Sequence, residues 1–248
     1  MAKQFEVRWE GELPATPQEV WEAFTVHTTG WHWKIDYEPW PGGAERGLTA
    51  GGGTVTVWDP PRHFVTRAES GCDGDGFNRL EYVLEPRKAG TYVRYAHHGV
   101  LDEEDYDRQL DACRQHTAFY NHSLGEYVRH FAGRDAAYIS ADAPEVSAQR
   151  GFAVVRRALG VADDVAGGDP VRLRPAGLEP IDGVVDYATH AFLGIRTADA
   201  LYRVYGRDAW GWPVSVARHL FPDGTAQVAS EPAWGSWLDG VFAKEKVA

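Results

Sequence analysis

Apolar and polar residues alternate strictly at the start of the chain. Phe5, Val7, Trp9, Gly11 and Leu13 share one face, and Gln4, Glu6, Arg8, Glu10 and Glu12 the other. A period of two with one wet face predicts a strand over residues 5–13. The next residues, Thr16-Pro17-Gln18-Glu19, predict a helix start: an N-cap hydroxyl, proline at the first helical position and a glutamate three residues after the cap satisfy backbone donors that a first turn leaves open. That helix carries Val20, Trp21, Ala23 and Phe24 and stops before Gly30. A short helical or turn segment holding Trp31 and Trp33 then leads into an extended piece over 35–39, and the glycine-rich residues 41–53 read as a loop. Strands are predicted over 54–58, 63–69, 77–86 and 91–100. Asp59-Pro60-Pro61, residues 71–76 and Arg87-Lys88-Ala89-Gly90 punctuate them, which makes an antiparallel meander. From 102 to 131, Tyr106, Leu110, Cys113, Thr117, Tyr120, Leu124, Tyr127 and Phe131 recur in steps of three and four, the stripe of one long amphipathic helix.

The pattern weakens over 134–150, which includes Asp142-Ala143-Pro144, and the domain boundary is placed here, dividing the chain into 1–135 and 136–248. A helix over 147–159 stopped by Gly160 follows, with a polar linker at 163–170. Short strands are predicted over 171–174, 184–189, 192–196, 201–205 and 214–220. A last helix over 231–242 has Trp234, Trp237, Leu238 and Val241 on one face. The second part therefore reads as a smaller α+β unit.

Composition narrows the partners. Over 248 residues, 25 Lys and Arg stand against 36 Asp and Glu, for a formal net charge of −11 without a basic block. This argues against nucleic acid and against an anionic membrane, since both bind clustered positive charge. A hydrophobic fraction of 44% with ten Trp, eleven Tyr and ten Phe suffices for a packed core. The first residues are charged, and no window approaches eighteen apolar residues, so neither a signal peptide nor a membrane span is expected. Cys72 and Cys113 are the only cysteines, too few for a disulfide framework, which suits a reducing cytoplasm. A bridge between these two is left open.

The search for catalytic motifs is negative. No zinc-protease, serine-hydrolase, P-loop or dinucleotide signature is present, and Gly51-Gly52-Gly53 lacks the lysine and hydroxyl of a phosphate cradle. His97 and His98 point to opposite faces of a strand. His116, His122 and His130 miss the four-residue spacing of a helical zinc pair. No catalytic residue, metal ligand or cofactor is assigned. The positive signal is a set of amphipathic rings. Tyr82 lies between Leu80 and Leu84, Tyr95 and His97 follow Val93 on one face, Trp9 comes from the first strand and Tyr120 from the long helix. Several polar-tipped rings on inward faces favour a ligand cavity over a solid core. The alternative is core filler whose polar tips reach backbone or solvent.

Residues 16–25, Thr-Pro-Gln-Glu-Val-Trp-Glu-Ala-Phe-Thr, together with Glu38-Pro39-Trp40-Pro41-Gly42-Gly43 and Gly53-Thr54-Val55-Thr56-Val57-Trp58-Asp59-Pro60-Pro61, resemble the START-like (SRPBCC) superfamily. Within it they resemble the branch related to the activator of the ninety-kilodalton heat-shock-protein ATPase. The resemblance covers about residues 5–133. Residues 150–248 resemble the C-terminal extension of actinobacterial members, with a shortened relative of the same fold as the alternative. It implies an α+β helix-grip fold, an antiparallel sheet wrapped around a long C-terminal helix, followed by the smaller unit. It also implies a hydrophobic cavity between sheet and helix. The expected function is binding of a hydrophobic or aromatic small molecule by Trp9, Trp31, Trp33, Tyr82, Tyr95, His97, Tyr120 and Leu124. Two alternatives stand beside it. One is a cyclase- or lyase-like enzyme in which His97 with Tyr82 or Tyr95 relays protons. The other is a chaperone-regulator-like protein-interaction module. The second unit is expected to pack on the first, to cover the cavity mouth, or to mediate self-association or bind a protein through Trp210, Trp212, Trp234 and Trp237.

Overall fold

A computed structural model describes residues 2–70, 76–222 and 231–245. The chain forms two units, Met1–Asp135 and Ala136–Ala248. Cys72 and most of the 71–76 turn lie outside the described residues. Cys113 is a free thiol.

The first unit begins with β1 (Ala2–Leu13) and α1 (Pro17–Thr25). The capping box is complete: Glu19 N–H donates to Thr16 Oγ1 at 3.3 Å, and Thr16 N–H donates to Glu19 Oε2 at 2.7 Å. These bonds hold the Glu19 carboxyl below its usual pKa. A 3-10 turn (Thr28–Gly30) follows, then β2 (Asp36–Tyr37), β3 (Ala44–Arg46), β4 (Gly53–Asp59), β5 (His63–Ser70), β6 (Gly76–Arg87), β7 (Gly90–Asp102) and the long helix α2 (Tyr106–His130). All seven strands are antiparallel to their neighbours in the order β1-β7-β6-β5-β4-β3-β2. The first strand is thus closed by the last, from Ala2 opposite Asp102 to Leu13 opposite Thr91.

α2 runs along β1. Near its start the Tyr106 hydroxyl donates to the Gln4 carbonyl at 3.0 Å, and three-quarters of the way along, Gly125 lies against Leu13. Phe5, Val7 and Leu13 are buried on the inner face of β1, and Leu124, Tyr127 and Val128 on the helix. This is the helix-grip architecture.

The second unit is built in the same order. β8 (Ala137–Asp142) is followed by α3 (Gly151–Leu159), β9 (Pro170–Leu173), β10 (Ile181–Ala188), β11 (Phe192–Arg196), β12 (Ala200–Tyr205), β13 (Ser215–Leu220) and α4 (Glu231–Glu245). The sheet order is β8-β13-β12-β11-β10-β9. Here too the first strand pairs with the last, Ala137 with Leu220 and Asp142 with Ser215.

Four expectations need correction. The 41–53 loop contains β3, which pairs through its backbone with Tyr37 on one side and Thr54 on the other. The 134–150 boundary contains β8. The 147–159 helix is broken: a 3-10 turn (Glu145–Ala148) precedes α3, and Arg150 between them has φ 69°, a left-handed conformation that no helix interior adopts. The long helix starts at Tyr106, after a separate 3-10 turn over Glu103–Asp105.

Candidate functional site

The inner face of the first sheet and α2 enclose a cavity of about 40 Å³. Its floor is aromatic and buried. Phe24 comes from α1, Trp31 from the segment after the 3-10 turn, Phe64 from β5, Tyr82 from β6 and Tyr95 from β7. Phe24 and Tyr82 stack with centroids 4.5 Å apart and planes 11° from parallel, and Tyr82 leans on Tyr95 at 4.8 Å. Trp31 is pinned by its indole N–H, which donates to the Ala23 carbonyl at 2.9 Å. Half-exposed Tyr37, Leu48, Leu80 and Tyr120 make the rim, while buried His32, Ile35, Thr117 and Asn121 complete the wall. Among the described residues, the lining contains no Asp, Glu, Lys or Arg.

Burial raises the pKa of the Tyr37, Tyr82 and Tyr95 phenols above the usual value. All three therefore stay protonated at any physiological pH and keep a hydrogen to donate.

Of the eight residues read from the sequence, Trp31, Tyr82, Tyr95 and Tyr120 line this cavity. The other four do not. The Trp9 ring folds over Gly11, where a methyl group would stand 2.7 Å from the indole. Trp33 sits one layer out: its ring is tilted 37° against His32 with centroids 3.6 Å apart, and it donates its indole N–H to the Gly47 carbonyl at 2.6 Å. His97 packs edge-on against Phe5 at 4.9 Å, and its Nε2 lies 2.5 Å from Asn78 Oδ1. Leu124 is fully buried on α2. Phe24, His32, Ile35, Tyr37, Leu48, Phe64, Leu80, Thr117 and Asn121 were not read as site residues. Thr117 and Asn121 bracket Tyr120 on the helix at spacings of three and one, so a polar pair interrupting the apolar stripe was the available signal.

The rim is anchored by a buried carboxylate. Glu45 on β3 is 1% exposed, and its Oε1 accepts the Leu48 N–H at 2.7 Å and the Thr49 N–H at 3.4 Å. Asn78 Nδ2 donates to Thr49 Oγ1 at 3.4 Å, and Asn78 Oδ1 contacts His97. Gly47, Gly51 and Gly52 have φ of 98°, 89° and 81°, values that side-chain-bearing residues rarely adopt. The loop carrying Leu48 is therefore held at Glu45, Asn78 and Trp33 and turns on glycines.

Two larger recesses are less suited to an apolar ligand. One, of about 790 Å³, is an open trough between Glu45, Arg46, Arg67, Glu69 and the glycine backbone of 51–53. The other, of about 450 Å³, lies on the charged face of the sheet between Glu6, Arg8, Arg79, Glu81 and Arg94. Both are wet, mixed-charge surfaces, whereas the smaller cavity has apolar walls and a few placed polar groups, the usual make-up of a small-molecule site.

Residues 14–129 match the family described as Activator of Hsp90 ATPase homolog 1-like protein. The match lies within the first unit and spans just under half of the chain. About half of the chain is also similar to solved structures. Protein MLL2253 of Mesorhizobium loti is 19% identical, with 51% of this chain and 98% of that chain covered and a TM-score of 0.43. The Aha1 dimer of Colwellia psychrerythraea is 19% identical over 50% and 96%, at 0.41. CalU16 of Micromonospora echinospora is 17% identical over 52% and 86%, also at 0.41. No curated protein matches the chain.

In the second unit, Trp234 and Trp237 are buried in a core with Phe152, Val155, Leu193, Ile195, Val204, Leu238 and Phe242. Trp210 is 2% exposed, and only Trp212 of the four tryptophans reaches solvent, at 37%. The expectation of an exposed tryptophan surface here is corrected to the extent that three of the four are buried. No helix among the described residues is long and apolar enough to cross a membrane.

Proposed function

We infer that the first unit binds a small, largely apolar molecule of about one ring in the cavity between its sheet and α2. The carrying observation is the convergence of aromatic rings from α1, β5, β6 and β7 on one recess that has polar tips and no charged wall. Apolar area removed from water supplies the drive, at about 25 cal/mol per Å², and the phenols orient the ligand's polar end. At about 40 Å³ the recess is far below the roughly 300–1,000 Å³ of drug-sized sites. Binding therefore displaces the half-exposed Leu48 side chain, while the Leu48 backbone stays bonded to Glu45. His97 does not line the cavity and has Asn78 and Phe5 as its neighbours, so nothing in this arrangement favours a His97–tyrosine proton relay over binding.

The test is native mass spectrometry of the purified protein after exposure to a metabolite extract, beside a Leu48→Trp variant that blocks the rim. A stoichiometric small molecule on the unmodified protein, absent from Leu48→Trp, is the expected result. Unliganded spectra for both overturn the reading.

A further inference from the structure

We propose that the cavity selects an uncharged ligand bearing a hydroxyl group, or another group that both donates and accepts a hydrogen bond, and that Asn121 is the residue that receives its hydrogen. This rests on the binding reading above and adds the chemical class.

Asn121 is 2% exposed and lines the cavity. Its amide orientation is fixed by the helix: Nδ2 donates to the Thr117 carbonyl at 2.9 Å, and a carbonyl can only accept, so the NH₂ must face it. This leaves Oδ1 as a buried acceptor that meets no donor. Such an atom is costly when empty and rewards a ligand that brings a hydrogen. The complementary donors are the Tyr37 and Tyr82 hydroxyls. Both residues line the cavity, and neither hydroxyl makes a hydrogen bond among the described residues. A group placed between them needs a hydrogen for Asn121 and a lone pair for a phenol, which a hydroxyl has on a single atom. With no Asp, Glu, Lys or Arg among the described lining residues, an ion would meet His32 as the one basic side chain in the lining.

The probes are phenol, toluene and benzoate, titrated by calorimetry into the full chain and into Asn121→Leu and Tyr82→Phe. Phenol matches the proposed class, toluene replaces the hydroxyl with a methyl group, and benzoate adds charge. Phenol is expected to bind the unmodified protein about tenfold more tightly than toluene, with no binding of benzoate. Asn121→Leu is expected to erase the preference while leaving toluene bound. Tyr82→Phe, which keeps the ring stacked on Phe24, supplies the test if the leucine variant does not fold, and is expected to weaken phenol alone. Equal binding of phenol and toluene, both lost in Leu48→Trp, overturns the hydroxyl selectivity and leaves the binding reading standing. Preferred binding of benzoate overturns the uncharged class. If none of the three binds at millimolar concentration and the cavity holds only water, both readings fall.

Discussion

The Glu45 side chain accepts the Leu48 backbone N–H at 2.7 Å, so a buried acceptor on β3 fixes the Leu48 backbone at the cavity rim. Glu45→Ala should therefore leave two loop amides without an acceptor and cost about 1–3 kcal/mol. Glu45→Gln retains an acceptor oxygen and should cost less. Urea unfolding gives the stabilities, and hydrogen exchange at Leu48 and Thr49 should accelerate in the alanine variant first.

Gly30 approaches the Tyr127 ring so closely that a methyl group would stand 2.4 Å from it. Tyr127 is itself locked, since its hydroxyl donates to the Arg134 carbonyl at 3.0 Å. Gly30→Ala should cost about 1–3 kcal/mol by overpacking. It should also disturb Trp31, the next residue and part of the cavity floor, which tryptophan fluorescence can follow.

Burial, and secondarily the neighbouring His98, push the His97 pKa down from the usual 6.5 to about 4. Between these values the unfolded chain takes up a proton that the folded chain refuses. The stabilisation is full above pH 6.5 and is lost as the pH falls towards about 4, by about 3 kcal/mol for a shift of this size. Urea unfolding from pH 7 to pH 4 should show the loss, and His97→Gln should flatten it. Equal pH slopes for the two proteins would remove the assignment.

Leu238 is fully buried in the second unit's core. Leu238→Ala should cost about 2–5 kcal/mol, and resonances of β8–β13 should respond before those around the cavity.

The strands with alternating faces and the capped helix were legible because side-chain periodicity and end chemistry are local. β3 was not, because it is only Ala44-Glu45-Arg46, too short and too charged to show an alternating face, and the strand exists through backbone pairing with Tyr37 and Thr54. β8 was hidden for a related reason: its partner, β13, lies more than seventy residues on. In the site, large rings could be read, since an aromatic on an inward face has few uses. Asn121 showed only as half of the polar pair flanking Tyr120, and it is the direction of its amide, set by Thr117, that turns an ordinary helical polar residue into a cavity acceptor. Trp9 and Trp33 show the opposite failure. Their faces were inferred correctly enough to suggest a site, but Gly11 and Gly47 offered each indole a closer berth.

The pairing of β1 with β7 also governs when this unit can be made. Ala2 must find Asp102, and Leu13 must find Thr91. During synthesis, β1 presents Phe5, Val7 and Leu13 to solvent while nearly eighty further residues are added before its partner strand begins. Such distant pairings fold slowly and leave an apolar edge open to wrong partners in the interval. A nascent chain stopped anywhere before β7 holds a meander without its closing strand, and it is at that stage, rather than in the finished protein, that a chaperone would have most to protect.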